Sequence, residues 1–199
     1  RSAAAVAAGM VALAIGTQTN ASVVRPASFC GVCGFKPSHG LIPRTGILPL
    51  SRTLDGVGVF ARCLDDIALL AEPLIGFDAA DPDTRPRAHV ALAQAMAGEP
   101  PLAPRLAFVE TAVWGRTDAS TRAAFAALTG RLGAHCQTCP LPDAWAEAWA
   151  WHQTIMEAEM ALQLEPEWTA AAAQLSDTLR QQLERGRQIP ALEYQRALS

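Results

Sequence analysis

Lysine is almost absent from this chain: Lys36 is the only one in 199 residues, and arginine supplies the other basic side chains. The formal net charge is −3, and no segment gathers basic residues into a stripe. A nucleic-acid partner is therefore not expected, because binding through phosphates needs clustered positive charge. The preference for alanine and arginine over lysine is typical of a GC-rich bacterial genome.

Long hydrophobic runs are also missing, and a bilayer-spanning helix needs about 20 apolar residues. The most apolar segment, residues 2–16, follows Arg1 and so imitates a signal peptide. However, this segment continues without a break into a polar turn, which is a poor cleavage region. We therefore interpret it as a buried helix and strand of a cytoplasmic protein with no membrane partner. Half of the residues are hydrophobic and 18% are charged, as in globular domains.

The five cysteines do not have the spacing of a metal site or a disulfide framework. The two C-x-x-C pairs, Cys30/Cys33 and Cys136/Cys139, are about a hundred residues apart, far beyond the spacing of zinc ribbons. The four histidines are scattered without ligand spacing. We predict no metal and no cofactor, and we interpret the cysteines as small core residues, with a metal or redox role as the open alternative.

Hydrophobic periodicity predicts an α/β fold in which helices alternate with short strands. An N-cap at Asp118 or Ser120 and a stop at Gly133 bound one helix, and Asp143 is the expected N-cap of another. The stripe Trp145, Trp149, His152 and Met156 has helical spacing, which favours core packing over a ligand-lining face. The predicted helices are 2–11, 63–76, 117–133, 142–164, 169–186 and 190–199, the strands are 12–16, 31–37, 105–110 and 134–139, and the loops are 38–53 and 78–105.

Polar small residues interrupt the apolar sequence in "GTQTNASVVRPAS", residues 16–28. Ser22 comes at the end of a turn formed by Thr19, Asn20 and Ala21. Loops that hold a nucleophile against backbone N–H donors have this composition. So do ordinary turns in which a serine hydrogen-bonds its own backbone. The residues by themselves leave both interpretations open. For Thr17 and Thr19, a role at the strand end and turn is as well supported as a role in the site.

Residues 1–76 resemble the amidase signature family. The resemblance rests on an ordered series: an Ala-rich helix, "GTQT" followed by Ser22, "RPASFCGVCGFKP", and "SRTLDGVGVFAR" before a helix opened by Asp65 and Asp66. It implies that residues 1–199 are part of a single amidase domain, a mixed β-sheet core flanked by helices. Residues 1–76 would be the signature core and 77–199 a variable, mainly helical substrate-side region. N-terminal and C-terminal parts of the domain are expected outside this chain, because both ends fall inside predicted structure.

The same resemblance implies a hydrolase that cleaves a carboxamide C–N bond through a serine acyl-enzyme. Ser22 is the implied nucleophile, and Thr19, Asn20 and Ala21 are the implied oxyanion loop. The family favours paired glycines where this chain has Asn20 and Ala21, and alanine tolerates positive φ poorly. The substrate is expected to be a small-molecule amide, no cofactor is implied, and a homodimer stays open.

The proton-accepting partners that the resemblance implies, a second serine and a lysine, would lie before Arg1. The chain is therefore expected to be inactive by itself. Lys36 matches a strand end of the family, and Ser2 is displaced from the position of the second serine. A structural ion pair is favoured for Arg25 over a substrate clamp, and Asp55 is expected to close a turn or cap a helix.

Two other functions remain open at this point. One is the A subunit of a tRNA-dependent glutamyl/aspartyl amidotransferase, which passes ammonia to an aminoacyl-tRNA. The other is a non-catalytic family member that retains the fold. The sequence "TNAS" and the lack of basic surface argue mildly against the amidotransferase.

Overall fold

A computed structural model describes residues 1–99 and 102–199. Residues 100 and 101, which belong to the predicted loop 78–105, lie outside the described residues. The strands are β1 (Ala14–Gln18), β2 (Cys33–Phe35), β3 (Gly56–Ala61), β4 (Leu106–Phe108) and β5 (Cys136–Thr138). The helices are α1 (Ser2–Ala7), α2 (Val24–Cys30), α3 (Leu64–Leu74), α4 (Leu92–Ala97), α5 (Ala119–Leu132), α6 (Ala148–Gln163), α7 (Glu165–Ala171), α8 (Asp177–Gln188) and α9 (Ala191–Leu198).

Contacts divide the chain into two compact units, one formed by residues 1–98 and 153–199 and the other by residues 99–152. In the first unit, β3 is the central strand of a three-stranded antiparallel sheet with the order β1-β3-β2. Thr17 of β1 lies opposite Val57, and Phe35 of β2 lies opposite Val59. Since β3 has a neighbour on each side, residues 57–61 are buried.

Two apolar clusters contact this sheet. One contains Val6, Val23 and Phe60, and so joins α1 and the start of α2 to β3. The other packs α3 against the sheet. Gly34 of β2 permits close packing of α2, because a Cβ at this position would lie 2.5 Å from the Cβ of Ala27. The clusters thereby fix the turn between β1 and α2 against the sheet.

A third cluster joins α6 to α8 in the same unit, around Met160, Leu164 and Leu183. The two helices approach closely at Gly186, where a Cβ would lie 2.0 Å from the carbonyl oxygen of Glu157. The Arg185 guanidinium also pairs with the buried Glu157 carboxylate, at 2.5 Å. Both contacts fix the position of α6 relative to α8.

The second unit, residues 99–152, contains the parallel pair β4-β5 and α5. Phe108, Trp114 and Phe125 form its aromatic cluster, with ring centroids 5.3 to 5.7 Å apart. Asp118 is the N-cap of α5 and accepts a hydrogen bond from the Thr121 N–H, as the sequence predicts. The Ser120 hydroxyl and then the N–H and hydroxyl of Thr121 donate to this carboxylate, and they hold the pKa of Asp118 well below its ordinary value.

The predicted α/β fold class is confirmed, but the predicted positions of several helices and strands are wrong. No local signal indicated α2 or β3, and α4 lies within the predicted loop 78–105. The predicted helix 169–186 is two helices, because α7 ends at Ala171 and Ser176 caps α8. Asp143 is not an N-cap: it begins a 3₁₀ turn, Asp143–Glu147, that precedes α6. The core expectation is wrong for the two tryptophans of the stripe, since Trp145 and Trp149 are 55% and 65% exposed, whereas Met156 packs against the cluster around Leu183. The division at residue 76 stays a prediction.

None of the helices in the described ranges combines the length and apolar character needed to cross a membrane.

Candidate active site

The candidate nucleophile lies in a turn between a strand and a helix. β1 ends at Gln18, residues 19–23 form the turn, and α2 begins at Val24. The side chain of Ser22 is exposed, and no hydrogen bond joins its Oγ to another described residue. The alternative of a turn serine bonded to its own backbone therefore has no support among residues 1–99 and 102–199.

Gln18 stabilises the start of α2 from the end of β1. Its side-chain Oε1 accepts hydrogen bonds from the N–H groups of Val23 and Val24, at 3.0 and 3.1 Å. The first N–H groups of a helix have no intrahelical partner, and an oxygen that accepts from them acts as a cap. This side chain therefore ties the helix end of the turn to its strand end. The sequence reasoning did not find this role for Gln18.

Ala21 has a backbone conformation that favours glycine. Its φ is 53°, and among the described residues it is the one non-glycine residue with positive φ. The family resemblance implies a glycine at this position. Ala21 therefore has the backbone conformation expected of that glycine, and its side chain adds strain.

Three consecutive backbone donors in the turn have no partner within the described part of the chain. No hydrogen bond runs from the N–H of Asn20, Ala21 or Ser22 to another described residue. Donors of this kind can stabilise an oxyanion when they point at one position. Their convergence near the Ser22 Oγ stays a prediction.

Asp55 anchors the turn to the loop that precedes β3. Its Oδ1 accepts a hydrogen bond from the Thr19 hydroxyl, and its Oδ2 accepts from the N–H groups of Leu50 and Ser51 at 2.8 and 2.9 Å. The expectation that Asp55 closes a turn is confirmed. Its bond to Thr19, 36 residues away, was not foreseen from the sequence.

A cavity of about 280 Å³ lies beside this anchor. Thr17, Thr19 and Asp55 line it on the side of the turn at residues 19–23, whereas Ser22 is not among the lining residues. The rest of its wall is mainly apolar and charged: Ile47, Leu48, Pro49, Leu50, Val57, Pro82, Arg44, Arg52, Asp81 and Asp83, together with Thr45, Gly56, Ala80 and Gln163. The cavity therefore adjoins the candidate oxyanion loop and not the candidate nucleophile.

Both arginines on the cavity wall form ion pairs with carboxylates of the same wall. Arg44 pairs with Asp81 at 3.4 Å and also with Asp83, and Arg52 pairs with Asp83 at 3.0 Å. The hydrogen bond from Arg52 is the main cause of the lowered pKa of Asp83. Burial raises the pKa of Asp81, but hydrogen bonds from the N–H groups of Asp83 and Arg44 outweigh it and leave that pKa below its ordinary value. These carboxylates thus stay ionised and paired.

Other residues considered from the sequence lie in ordinary structural settings. The Ser2 hydroxyl donates to the Ile15 carbonyl oxygen at 3.1 Å, and the Lys36 ammonium donates to the Pro37 carbonyl oxygen at 2.6 Å. Arg25 is exposed, and it forms no ion pair with a described residue. The cysteines are free thiols, and the described ranges contain no cluster of His, Cys, Asp and Glu that could hold a metal ion.

Comparison with known proteins finds relatives that match about two fifths of this chain. In Mycoplasma pneumoniae, the A subunit of glutamyl-tRNA(Gln) amidotransferase is 52% identical over 80 residues, which make up 40% of this chain and 17% of that protein. Its counterpart from Methanothermobacter thermautotrophicus is 48% identical over 83 residues, 42% of this chain and 18% of that protein. The matched part is therefore less than a fifth of each relative.

Solved structures match nearly the whole chain. A vestigial protein complex, described as revealing the evolutionary origins of an s-triazine catabolic enzyme, has a TM-score of 0.87 at 27% identity. It matches 99% of this chain, which spans 42% of that protein. For 6-aminohexanoate cyclic dimer hydrolase the TM-score is 0.76 at 27% identity, covering 98% of this chain and 43% of that one. For native peptide amidase from Stenotrophomonas maltophilia the TM-score is 0.70 at 28% identity, and the match covers 98% of this chain and 45% of that one.

The family itself is shown by a match over most of the chain. The family model described as Amidase matches residues 2–182, which include the turn of residues 19–23, β3 and part of α8. The chain belongs to the amidase family.

Proposed function

We propose that this chain carries the nucleophile of an amide hydrolase and that Ser22 is that nucleophile. The observation that carries the proposal is the turn itself: an exposed hydroxyl follows three backbone N–H groups without described partners. Family membership supports the reaction class, and so do structural neighbours that are named as an amidase and a cyclic dimer hydrolase.

The reaction follows from the chemistry of the turn. The Ser22 Oγ attacks the carbonyl carbon of the amide while its proton passes to a base, and the carbonyl oxygen becomes an oxyanion. The N–H groups of residues 20–22 stabilise this oxyanion. The C–N bond then breaks, the amine leaves with a proton, and water hydrolyses the acyl ester. Loss of one oxyanion donor typically slows such a step about 10²- to 10³-fold.

The base is proposed to come from sequence outside residues 1–199. Lys36 is the one lysine in this chain, and its ammonium donates to the Pro37 carbonyl oxygen. The family resemblance implies a lysine and a second serine as the proton-transfer pair. We expect both in the full-length protein.

We further propose a small-molecule amide as substrate and a cytoplasmic location, with no nucleic-acid partner. The electrostatic support is the net charge of −3 without a basic stripe.

The second candidate function is the A subunit of a tRNA-dependent amidotransferase. The observation that favours it is the 46–52% identity over 80 residues to curated proteins of that name. Such a protein would release ammonia for transfer to an aminoacyl-tRNA and would show glutamine-dependent amidation together with its partner chains. A hydrolase would release ammonia or an amine to solution without tRNA.

The experiment compares Ser22→Ala with Ser28→Ala in the full-length protein. Ser28 is a matched control because it is exposed on α2, six residues further along the same segment. Hydrolysis of a panel of simple carboxamides should be abolished by Ser22→Ala and retained by Ser28→Ala. Equal turnover in Ser22→Ala and wild type would refute the proposal. No turnover in wild type, with no labelling by a fluorophosphonate, would support a non-catalytic family member.

A further inference from the structure

A buried carboxylate outside the nucleophile turn receives an unusual set of hydrogen bonds. Glu159 of α6 is 7% exposed. Its two oxygens accept from the Ser51 hydroxyl, the Thr53 N–H at 2.9 Å, the Thr53 hydroxyl at 2.5 Å and the Tyr194 hydroxyl at 2.6 Å. The donors come from the loop before β3 and from α9, so one side chain of α6 joins two distant segments.

Burial would raise the pKa of the Glu159 carboxyl, but the hydrogen bonds from Ser51, Thr53 and Tyr194 outweigh this and leave the pKa below its ordinary value. Burial and the bond to this carboxylate raise the pKa of the Tyr194 hydroxyl. Glu159 is therefore a buried anion held by neutral donors. A buried charge is costly unless it is hydrogen-bonded, so the donors must keep their positions.

The same loop holds the candidate oxyanion turn. The Ser51 hydroxyl, which donates to Glu159, also accepts from the Leu54 N–H at 3.1 Å. The Ser51 N–H donates to Asp55, and the Asp55 N–H donates back to the Ser51 carbonyl oxygen at 2.9 Å. Asp55 in turn accepts from the Thr19 hydroxyl. An unbroken series of hydrogen bonds therefore leads from Glu159 through the 50–55 loop to Thr19.

We propose that Glu159 is a positioning residue for the oxyanion turn, acting through the 50–55 loop and the bond between Asp55 and Thr19. This inference rests on the proposed function, because it assigns Glu159 to the same reaction. Glu159 holds the loop at Ser51 and Thr53, the loop holds Asp55, and Asp55 fixes Thr19 at the start of the turn. A small displacement at Thr19 moves the N–H donors of residues 20–22. A misplacement of about 1 Å can cost about 10²-fold in rate.

The test measures how fast Ser22 reacts with a fluorophosphonate probe in the full-length protein. In this reaction the Ser22 Oγ forms a bond to phosphorus, the P–F bond breaks, fluoride leaves, and the serine proton passes to the base. As the Oγ–P bond forms, the phosphoryl oxygen gains negative charge. The rate of labelling therefore depends on the N–H donors that stabilise this oxygen. The second-order labelling rate reports on donor position, and the melting temperature of each variant reports separately on stability.

Glu159→Gln is compared with Glu157→Gln. Glu157 is a matched control, since it is also buried on the same helix but pairs with Arg185 of α8 instead of the 50–55 loop. We expect Glu159→Gln to slow labelling about tenfold and Glu157→Gln to leave the rate within about twofold, although both lower the melting temperature. Tyr194→Phe removes a single hydrogen bond to Glu159 and should slow labelling about two- to threefold. It replaces Glu159→Gln as the test variant if Glu159→Gln does not fold.

A double-variant cycle separates positioning from general destabilisation. If Glu159 acts through Asp55, the double variant Glu159→Gln/Asp55→Asn should be no slower than the slower single variant. Wild-type labelling rates in both Glu159→Gln and Tyr194→Phe would overturn the inference, as would equal slowing by Glu157→Gln. The proposed function fails separately, if wild type is labelled at a residue other than Ser22 or is not labelled at all.

Discussion

Ala21→Gly is expected to stabilise the protein, which is the reverse of the usual effect of this substitution. The φ of Ala21 is 53°, a left-handed conformation that costs an L-residue roughly 1–2 kcal/mol. Glycine removes this strain but adds roughly 0.5–1 kcal/mol of unfolded-state entropy. The free energy of unfolding should therefore rise by about 0.5–1 kcal/mol.

The matched control is Ala4→Gly, since Ala4 is exposed within α1. There glycine relieves no strain, so the free energy of unfolding should fall by about 0.5–1 kcal/mol. Urea denaturation of the full-length variants, with the midpoint and slope fitted together, measures both changes. If Ala21→Gly lowers the midpoint as much as Ala4→Gly, residue 21 does not have the positive φ on which this reasoning depends.

Further predictions concern helix packing, capping and pH. Gly186→Ala should lower the free energy of unfolding by about 2–3 kcal/mol, because its Cβ would lie 2.0 Å from the Glu157 carbonyl oxygen. Gly130→Ala, in α5 with open space around the added Cβ, should leave the urea midpoint unchanged or raise it. Gln18→Ala should lower the free energy of unfolding by about 1 kcal/mol because it removes the cap of α2, whereas Gln18→Glu should retain the cap. Equal decreases in melting temperature for the two variants would contradict this role. Since the folded pKa of Glu159 is lowered, its stabilisation is present above the ordinary value of 4.5 and is lost as the pH falls through the folded pKa. Stability measured from about pH 6 to about pH 3 should therefore fall less steeply in Glu159→Gln than in wild type, and parallel curves would contradict the shift.

Local signals predicted the elements whose own residues determine their structure. The N-cap at Asp118 and the stop at Gly133 bound α5, and the apolar face of α3 repeats at helical spacing. The short apolar segments around β1 and β2 were also found. In each case the information lies within the element or next to it.

Elements that depend on distant contacts were missed. β3 contains glycines at 56 and 58 and so looks like a loop, but it is the central strand because β1 and β2 pair on its two sides. α2 has a proline at residue 26, which the first turn of a helix accepts because its N–H needs no intrahelical partner there. The cap that starts this helix comes from Gln18 in the preceding strand. Nothing near residue 24 in the sequence indicates it.

The candidate site shows the same distinction. The resemblance marked the turn and named Ala21 as the position where alanine fits poorly, and the structure gives that residue positive φ. The supports of the turn were not foreseen, because they cross long separations: 36 residues from Thr19 to Asp55 and 108 from Ser51 to Glu159. A single sequence holds no record of such pairs.

The most direct test of the central claim is the site of covalent labelling in the full-length protein. The protein is treated with a fluorophosphonate, digested, and mapped by tandem mass spectrometry. The account predicts one phosphonylated residue, Ser22, and no adduct in Ser22→Ala. A stable adduct on any other serine, or adduct formation that survives Ser22→Ala, would contradict it.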